Sequence, residues 1–469
     1  MRGNIVVNRP RATVLIAAVV SLGLVGLVGC NSVNVSSAAP GVSAVKTATP
    51  AATEMTGPTA ALTASPPPTA SPSPKTSKVV ITPGPKMASG RWLFTATKLA
   101  DGRILLSGGY TLADEERACK HVVMACSVPE TATAEIYDPR TKSFTPTGSM
   151  ARPMLGHQAV LLRDGRVLIL GGPNDDPGTA EVYDPATGHF SDLGDMNQDT
   201  SGDAGPIFTP APSDAAQTRA LESQLGDQTV TVLADGRVLI AGGQDQIGDS
   251  SNAVTVFDPT TDTFRNLPGM PIPWKDASAS LLPDGRVLFT GGLDTSTYNI
   301  TTNTYQLSSA ALLFDPAMNA FTITGTTHIP RDGGNHVVLQ GGRVLIVGGL
   351  LDPINPGCGS PIQAEVYDPA SGRFSLAGGI QPPWLAVPVL IPDGRVLLIG
   401  GSADACVNGT AAESVYARGV EAYDPDSGTV SLLASGVLPN GSLDCAVALD
   451  DGSILVFIDQ GGDYILTLK

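Results

Sequence analysis

Residues 235–243 read DGRVLIAGG, and this nine-residue pattern recurs six more times. It stands as DGRILLSGG at 101–109, DGRVLILGG at 164–172, DGRVLFTGG at 284–292, GGRVLIVGG at 341–349 and DGRVLLIGG at 393–401, with a degenerate DGSILVFID at 451–459. The turn glycines fall at 102, 165, 236, 285, 342, 394 and 452, spaced by 63, 71, 49, 57, 52 and 58 residues. A second pattern lies between them: AEIYDPRTKSF from 134, AEVYDPATGHF from 180, VTVFDPTTDTF from 254, ALLFDPAMNAF from 311, AEVYDPASGRF from 364 and VEAYDPDSGTV from 420. Asp-Gly between apolar runs predicts a two-residue type I′ hairpin, whose central positions need positive φ. Runs such as RVLIL are continuous rather than alternating, so they predict short strands buried on both faces. The paired glycines allow close approach of a neighbouring sheet at the strand end. Asp-Pro followed by Thr/Ser-Gly/Asp predicts a second turn. Each unit therefore holds four antiparallel strands, with its Tyr and Phe rings buried between neighbouring sheets.

A four-stranded unit recurring at about 50 residues is the kelch type of β-propeller blade. On these motifs the chain resembles kelch-repeat propellers, and in particular the propeller of galactose oxidase-like proteins, over residues 78–469. The fourth-strand Trp usual in that family is Phe here: Phe144, Phe190, Phe264, Phe321 and Phe374. The expected fold is all-β, a seven-bladed kelch-type propeller with four antiparallel strands per blade. Seven hairpins, six Asp-Gly and one Gly-Gly, face only six Tyr/Phe-Asp-Pro units, and after the seventh hairpin only YILTLK remains. Residues 79–87, VVITPGPKM, resemble FTPTGSM at 144–150, so an N-terminal strand is expected to complete the last blade. That closure removes an unpaired edge.

Outside the ring the chain reads differently. Arg2, Arg9 and Arg11 precede an apolar run from Ala12 to Val28, as in a signal peptide, and the run is short for a membrane span of about 20 residues. It ends in Leu27-Val28-Gly29-Cys30, which resembles a bacterial lipobox and implies lipidation of Cys30. Residues 1–29 are read as a lipoprotein signal peptide and 30–77 as a disordered Ser/Thr/Pro/Ala-rich stalk, leaving 78–469 as the propeller. The expected location is exported and lipid-anchored, facing outside the cytoplasm. The chain of 469 residues has 28 basic and 44 acidic residues, a formal charge of -16. That charge repels phosphate backbones and anionic lipid headgroups, so nucleic acid is excluded as a partner and the membrane is met only through the N-terminal lipid. A monomer is expected.

Length variation falls on the ends of the strands opposite the Asp-Gly turns, which makes that end the default binding face. Eight residues before each turn glycine lie Phe94, His157, Gln228, Ala277, Gly334, Ala386 and Asp444. In the copper-radical oxidases that share this architecture, such positions carry Tyr and His ligands; here only His157 matches, so the resemblance does not carry the oxidase activity over. All three tryptophans, Trp92, Trp274 and Trp384, fall ten or eleven residues before a turn glycine, with Asp227, Asp276, Arg331, Asp332 and Asp444 near the same level. Flat rings beside charged groups suit a glycan or a protein partner; the competing reading is that each Trp fills a gap between blades.

The loop bearing Asp195, Asn197, Asp199 and Asp203 is similar to calcium loops of integrin-type propellers, although Thr200 replaces their turn glycine and no terminal Glu follows. Calcium stands there against a solvated polar loop, and no other cofactor is expected. Cys119 and Cys126 share one loop and suit a local disulfide. Cys358 and Cys406 suit a bridge between adjacent blades, leaving Cys445 as a buried thiol; Cys406 with Cys445 is the alternative. The leading expectation is a non-enzymatic binding module for a glycan or extracellular protein. The alternative is an extracytoplasmic sugar-acting enzyme with its site at the channel mouth.

Overall fold

The computed structural model describes residues 78–111, 129–171, 179–195, 228–244, 249–297, 307–349, 363–378, 386–407, 410–416, 418–441, 443–458 and 462–469. They form seven four-stranded antiparallel sheets, the blades of a propeller. Blade 1 comprises Thr95–Lys98, Ile104–Ser107, Ala134–Asp138 and Ser143–Pro146; blade 2 comprises Gln158–Leu161, Val167–Leu170, Thr179–Asp184 and His189–Asp195. Blade 3 runs through Gln228–Val232, Val238–Gly242, Val254–Asp258 and Thr263–Leu267, and blade 4 through Lys275–Leu281, Val287–Leu293, Ala310–Asp315 and Ala320–Thr326. Blade 5 holds Asn335–Val338, Val344–Val347, Glu365–Asp368 and Arg373–Leu376, and blade 6 holds Val387–Leu390, Val396–Ile399, Val420–Asp424 and Thr429–Ala434. Blade 7 takes Leu443–Ala448, Ile454–Ile458 and Gly462–Leu468 from the C-terminus and Val79–Pro83 from the N-terminal side. The closing register is Val79 opposite Leu468 through Pro83 opposite Tyr464, as the count of motifs predicts. Lys78 and Lys469 exchange backbone hydrogen bonds of 2.8 and 2.9 Å at the end of that ladder. Among the described residues the single helical element is the short 3-10 turn Thr295–Thr297.

The Asp-Gly turns are one residue longer than expected. Gly102 N donates to Leu99 O at 3.0 Å and Leu99 N to Arg103 O at 2.8 Å, and the same pair of bonds recurs at all seven hairpins. Gly102 has φ 86°, whereas Asp101 stays out of the left-handed region. This is a three-residue loop, a type I turn followed by a left-handed glycine, rather than a two-residue type I′ turn. The Asp side chain explains the third letter of the motif. Asp101 Oδ1 accepts Arg103 N at 3.0 Å and its Oδ2 accepts Arg103 Nε at 2.7 Å, with counterparts at Asp164, Asp235, Asp284 and Asp393. Burial pushes the Asp101 carboxyl up, but the backbone and guanidinium bonds of Arg103 outweigh it and leave the group below the ordinary carboxylate range.

The core is divided into seven apolar clusters, one at each interface between blades. In five blades a third-strand ring faces a fourth-strand Phe across the ladder, as in Tyr137–Phe144 and Phe257–Phe264, with centroids 4.7–5.0 Å apart. Blade 6 lacks that pair, since Tyr423 opposes Val430. The second glycine motif is required by close approach: a Cβ on Gly242 would strike the carbonyl oxygen of Trp274 in the next blade.

Candidate ligand-binding face

The first hairpin of every blade and the Asp-Pro turns of blades 1 to 6 lie at one end of the ring. The opposite end carries the strand termini after the paired glycines and the segments that lead into each first strand. A shared kink shapes those lead-in segments. The residue nine before the turn glycine is left-handed in blades 1, 2, 4 and 5: Leu93 (φ 55°), Gly156 (56°), Asp276 (56°) and Gly333 (67°). Leu93 is sterically strained there, as a bulky side chain rarely adopts such a backbone.

The kink separates two side-chain positions that sequence spacing merges. Eleven residues before the turn glycine stand Arg91, Met154, Trp274 and Arg331, all buried. One residue later stand Trp92, Leu155, Lys275 and Asp332. Trp274 is completely enclosed between blades 3 and 4. Arg331 is equally enclosed, its guanidinium donating to Glu365 at 2.9 Å, Gly348 O at 2.9 Å and Gln363 O at 3.1 Å. Arg91 repeats the arrangement with Glu135 at 2.9 Å, Gly108 O at 3.1 Å and Thr133 O at 2.8 Å. Both glutamates also accept backbone N–H groups of their own lead-in segment, Ala88 and Ser89 for Glu135, His328 and Ile329 for Glu365. Glu181 does the same for Ala151 and Arg152. The Glu of the AEVYD pattern therefore fixes the face, a role the motif alone does not announce; an acidic residue repeated inside an otherwise apolar strand was its visible sign.

On that scaffold Trp92 is half-exposed. Arg91–Trp92 pairs with Tyr110–Thr111 in a separate two-stranded ribbon, and the Trp92 and Tyr110 rings lie 5.1 Å apart, tilted by 45°. Asp276 and Asp444 are half-buried at the mouth. His157 and Gln228 are buried there, as is Asp332. His157 Nε2 lies 2.9 Å from Thr95 Oγ1 and 3.1 Å from Ser107 Oγ, and burial pulls its pKa down to about 3, so it is neutral. His336, 2.7 Å from Thr290 Oγ1, is held neutral too, its pKa drawn down to about 3 by burial and by the nearby Arg331. Both imidazoles stitch a first strand to a hydroxyl that precedes the paired glycines of the preceding blade.

Asp227, Trp384, Cys30, Cys119, Cys126 and Cys358, together with Asn197, Asp199 and Asp203, lie outside the described residues; Asp195 ends the last strand of blade 2. Cys406 falls in the hairpin strand Ser402–Val407, its side chain outside the described set. Cys445 is fully buried and disulfide-bonded, which corrects its reading as a leftover thiol. Among the described residues, no three His, Cys, Asp or Glu converge to hold a metal. The mouth positions offer one imidazole, already engaged with two hydroxyls, beside an amide and a carboxylate; this donor set does not fit a copper centre.

The family described as Kelch motif matches residues 228–271, from the first strand of blade 3 to the lead-in of blade 4. No curated protein sequence matches the chain. Among solved structures, the chain is similar to a fungal alcohol oxidase of the AA5 family in complex with copper, at 16% identity and a TM-score of 0.56, covering 84% of this chain and 76% of that one. It is also similar to YjhT at 15% identity and a TM-score of 0.42, covering 61% and 83%. At such identities a likeness speaks for fold and not for chemistry. The chain is a seven-bladed β-propeller bearing a kelch motif, with the fold of galactose oxidase-like AA5 proteins.

Proposed function

We propose that this protein is an extracytoplasmic binding module, tethered through a lipidated Cys30 and the 30–77 stalk, that takes a glycan at its loop-rich face. The observation that carries this reading is the aromatic shelf of Trp92 and Tyr110. It lies on a ribbon outside the blade ladders, and its base is locked by the buried Arg91–Glu135 pair. A rigid, partly exposed ring pair is a low-entropy surface for the apolar face of a sugar. A glycan array probed with the purified protein tests this. Binding that falls at least tenfold in W92A, with an unchanged melting curve, is the expected result; ligands that bind W92A as well as the native protein rule the shelf out as the binding surface.

The second reading is a sugar-acting enzyme, and the half-buried Asp276 and Asp444 at the mouth are what favour it. It predicts new reducing ends when bound oligosaccharide is incubated with the protein, lost in D276N or D444N. The binding reading predicts recovery of intact ligand.

A further inference from the structure

Resting on the glycan-binding reading, we propose that segment 84–90 is a clasp joining the ring seam to the Trp92–Tyr110 shelf, and that protonation of Asp463 tightens the shelf's hold on its glycan. The segment leaves the closing strand after Pro83 and reaches the shelf at Arg91. Its residues belong to no strand, so individual bonds fix its course. Gly84 N donates to Asp463 O at 2.7 Å, and Met87 N to Asp463 Oδ2 at 3.3 Å. Ala88 N and Ser89 N donate to Glu135 at 2.8 and 3.3 Å, and the Arg91 guanidinium donates to the same carboxylate at 2.9 Å. Arg91 stands opposite Thr111 and Trp92 opposite Tyr110, so the last link in this series of contacts is the shelf itself.

Asp463 looks toward blade 1. Ile465, on the same face of the strand, packs in the cluster shared with blade 1, whereas Tyr464 packs on the blade 6 side. On its ladder Asp463 stands opposite the uncharged Phe457. Among the charged groups around it, Glu135 is a second carboxylate, Arg91 is engaged by Glu135, and Lys86 of the segment is exposed. An ionised Asp463 therefore adds a second buried negative charge to a segment served by one guanidinium. The element over it that no ladder holds is the segment itself, so opening there is the route by which the charge reaches water. Burial and the charge of Glu135 push the carboxyl up to about 6. Below that value Asp463 is protonated, the segment lies closed, and Glu135 keeps the donors that fix the base of the shelf. Above it the ionised group favours the open segment, and Arg91–Trp92 loses that support. A ligand that needs the ordered shelf binds the protonated protein better; reciprocally, its binding draws a proton to Asp463.

The test titrates the full-length chain with the tightest neutral glycan of the array from pH 5 to pH 8. Native affinity is expected to fall about fivefold or more across that range. D463N, which keeps every other titratable group, should hold its pH 5 affinity at pH 8. Binding heats in buffers of different ionisation enthalpy should show proton uptake near pH 6 in the native protein and none in D463N. Without ligand, hydrogen exchange at 87–92 and 110–111 should be faster in the native protein than in D463N at pH 8 and equal at pH 5. Comparing the two proteins at one pH removes the intrinsic pH dependence of exchange. Affinity that stays flat, a fall that D463N repeats, or equal exchange at pH 8 overturns the clasp. The pH profile and the proton uptake are read on the native protein, so a poorly folding variant does not spare the idea. Glycan binding that ignores pH would refute the clasp and leave the shelf standing. Exchange that follows Asp463 in a protein that binds no glycan of the array would do the reverse.

Discussion

The sharpest energetic consequence of ring closure lies at Asp463. This residue is the second of the last C-terminal strand and is 8% exposed. Its Oδ2 accepts Met87 N at 3.3 Å, and Glu135 of blade 1 holds the next two amides, Ala88 and Ser89. Two carboxylates thus grip one segment, and Arg91 is paired to only one of them, Glu135. Burial, reinforced by the charge of Glu135 and only partly offset by the Met87 bond, pushes the Asp463 carboxyl up from 3.8 to about 6. A raised carboxylate pKa means that the folded ring prefers the protonated acid. The stabilisation from this group is complete below the unfolded value and is lost as pH rises through about 6. At ~1.4 kcal/mol for each tenfold change in acidity, that rise puts the penalty of an ionised Asp463 at about 3 kcal/mol above pH 7. Asp463→Asn keeps the shape and removes the charge, so it should be more stable than the native protein by about 3 kcal/mol at pH 8 and by roughly half that at pH 5. For a ring of about 390 residues this corresponds to a melting point raised by roughly 3–4 °C at pH 8. Thermal melts of both proteins from pH 4 to pH 8 measure it, and the difference between them cancels the titrations of His157, His336 and the turn aspartates. A D463N variant that melts lower at pH 8, or an offset that does not change with pH, would falsify this account of the seam.

Other consequences follow from the same geometry. Arg331→Met strands the fully buried Glu365 without its cation and should cost about 3–5 kcal/mol in chemical denaturation, with much of the loss recovered in R331M/E365Q; an R331M protein as stable as the native one would contradict the pairing. Two glycines separate backbone strain from collision: at Gly165 (φ 92°) a Cβ meets nothing within 4 Å, so Gly165→Ala should cost about 1–2 kcal/mol, from strain alone. Gly242→Ala adds a clash with the Trp274 carbonyl and should cost clearly more, and equal melting points for the two variants would argue against the tight approach of blades 3 and 4.

Much of the ring was legible because seven repeats state the same local physics. A single Asp-Gly between apolar runs is ambiguous, but seven such hairpins at propeller spacing, six Asp-Gly and one Gly-Gly, are not, and the unequal counts of hairpins and Asp-Pro units exposed the closing strand. The turn type was not legible, since Asp-Gly serves two- and three-residue loops alike and only the register of Leu99 against Arg103 decides between them. The face was harder. Trp92 and Trp274 differ by one position relative to the turn glycine, and of the two only Trp92 keeps part of its ring exposed, a difference the spacing does not state. The buried Arg–Glu pairs join residues 34 and 44 positions apart, so no local pattern announces them.

Ligand held at the loop-rich end, and not at the Asp-Gly end, is the proposition on which the rest depends. Hydrogen exchange on the protein with and without the tightest glycan from the array measures this directly. Slowed exchange is predicted at 91–94, 108–111 and 274–277, with the hairpin turns 99–103, 162–166 and 233–237 unchanged. Protection confined to those turns, with the loop-rich segments exchanging as in the free protein, would contradict it.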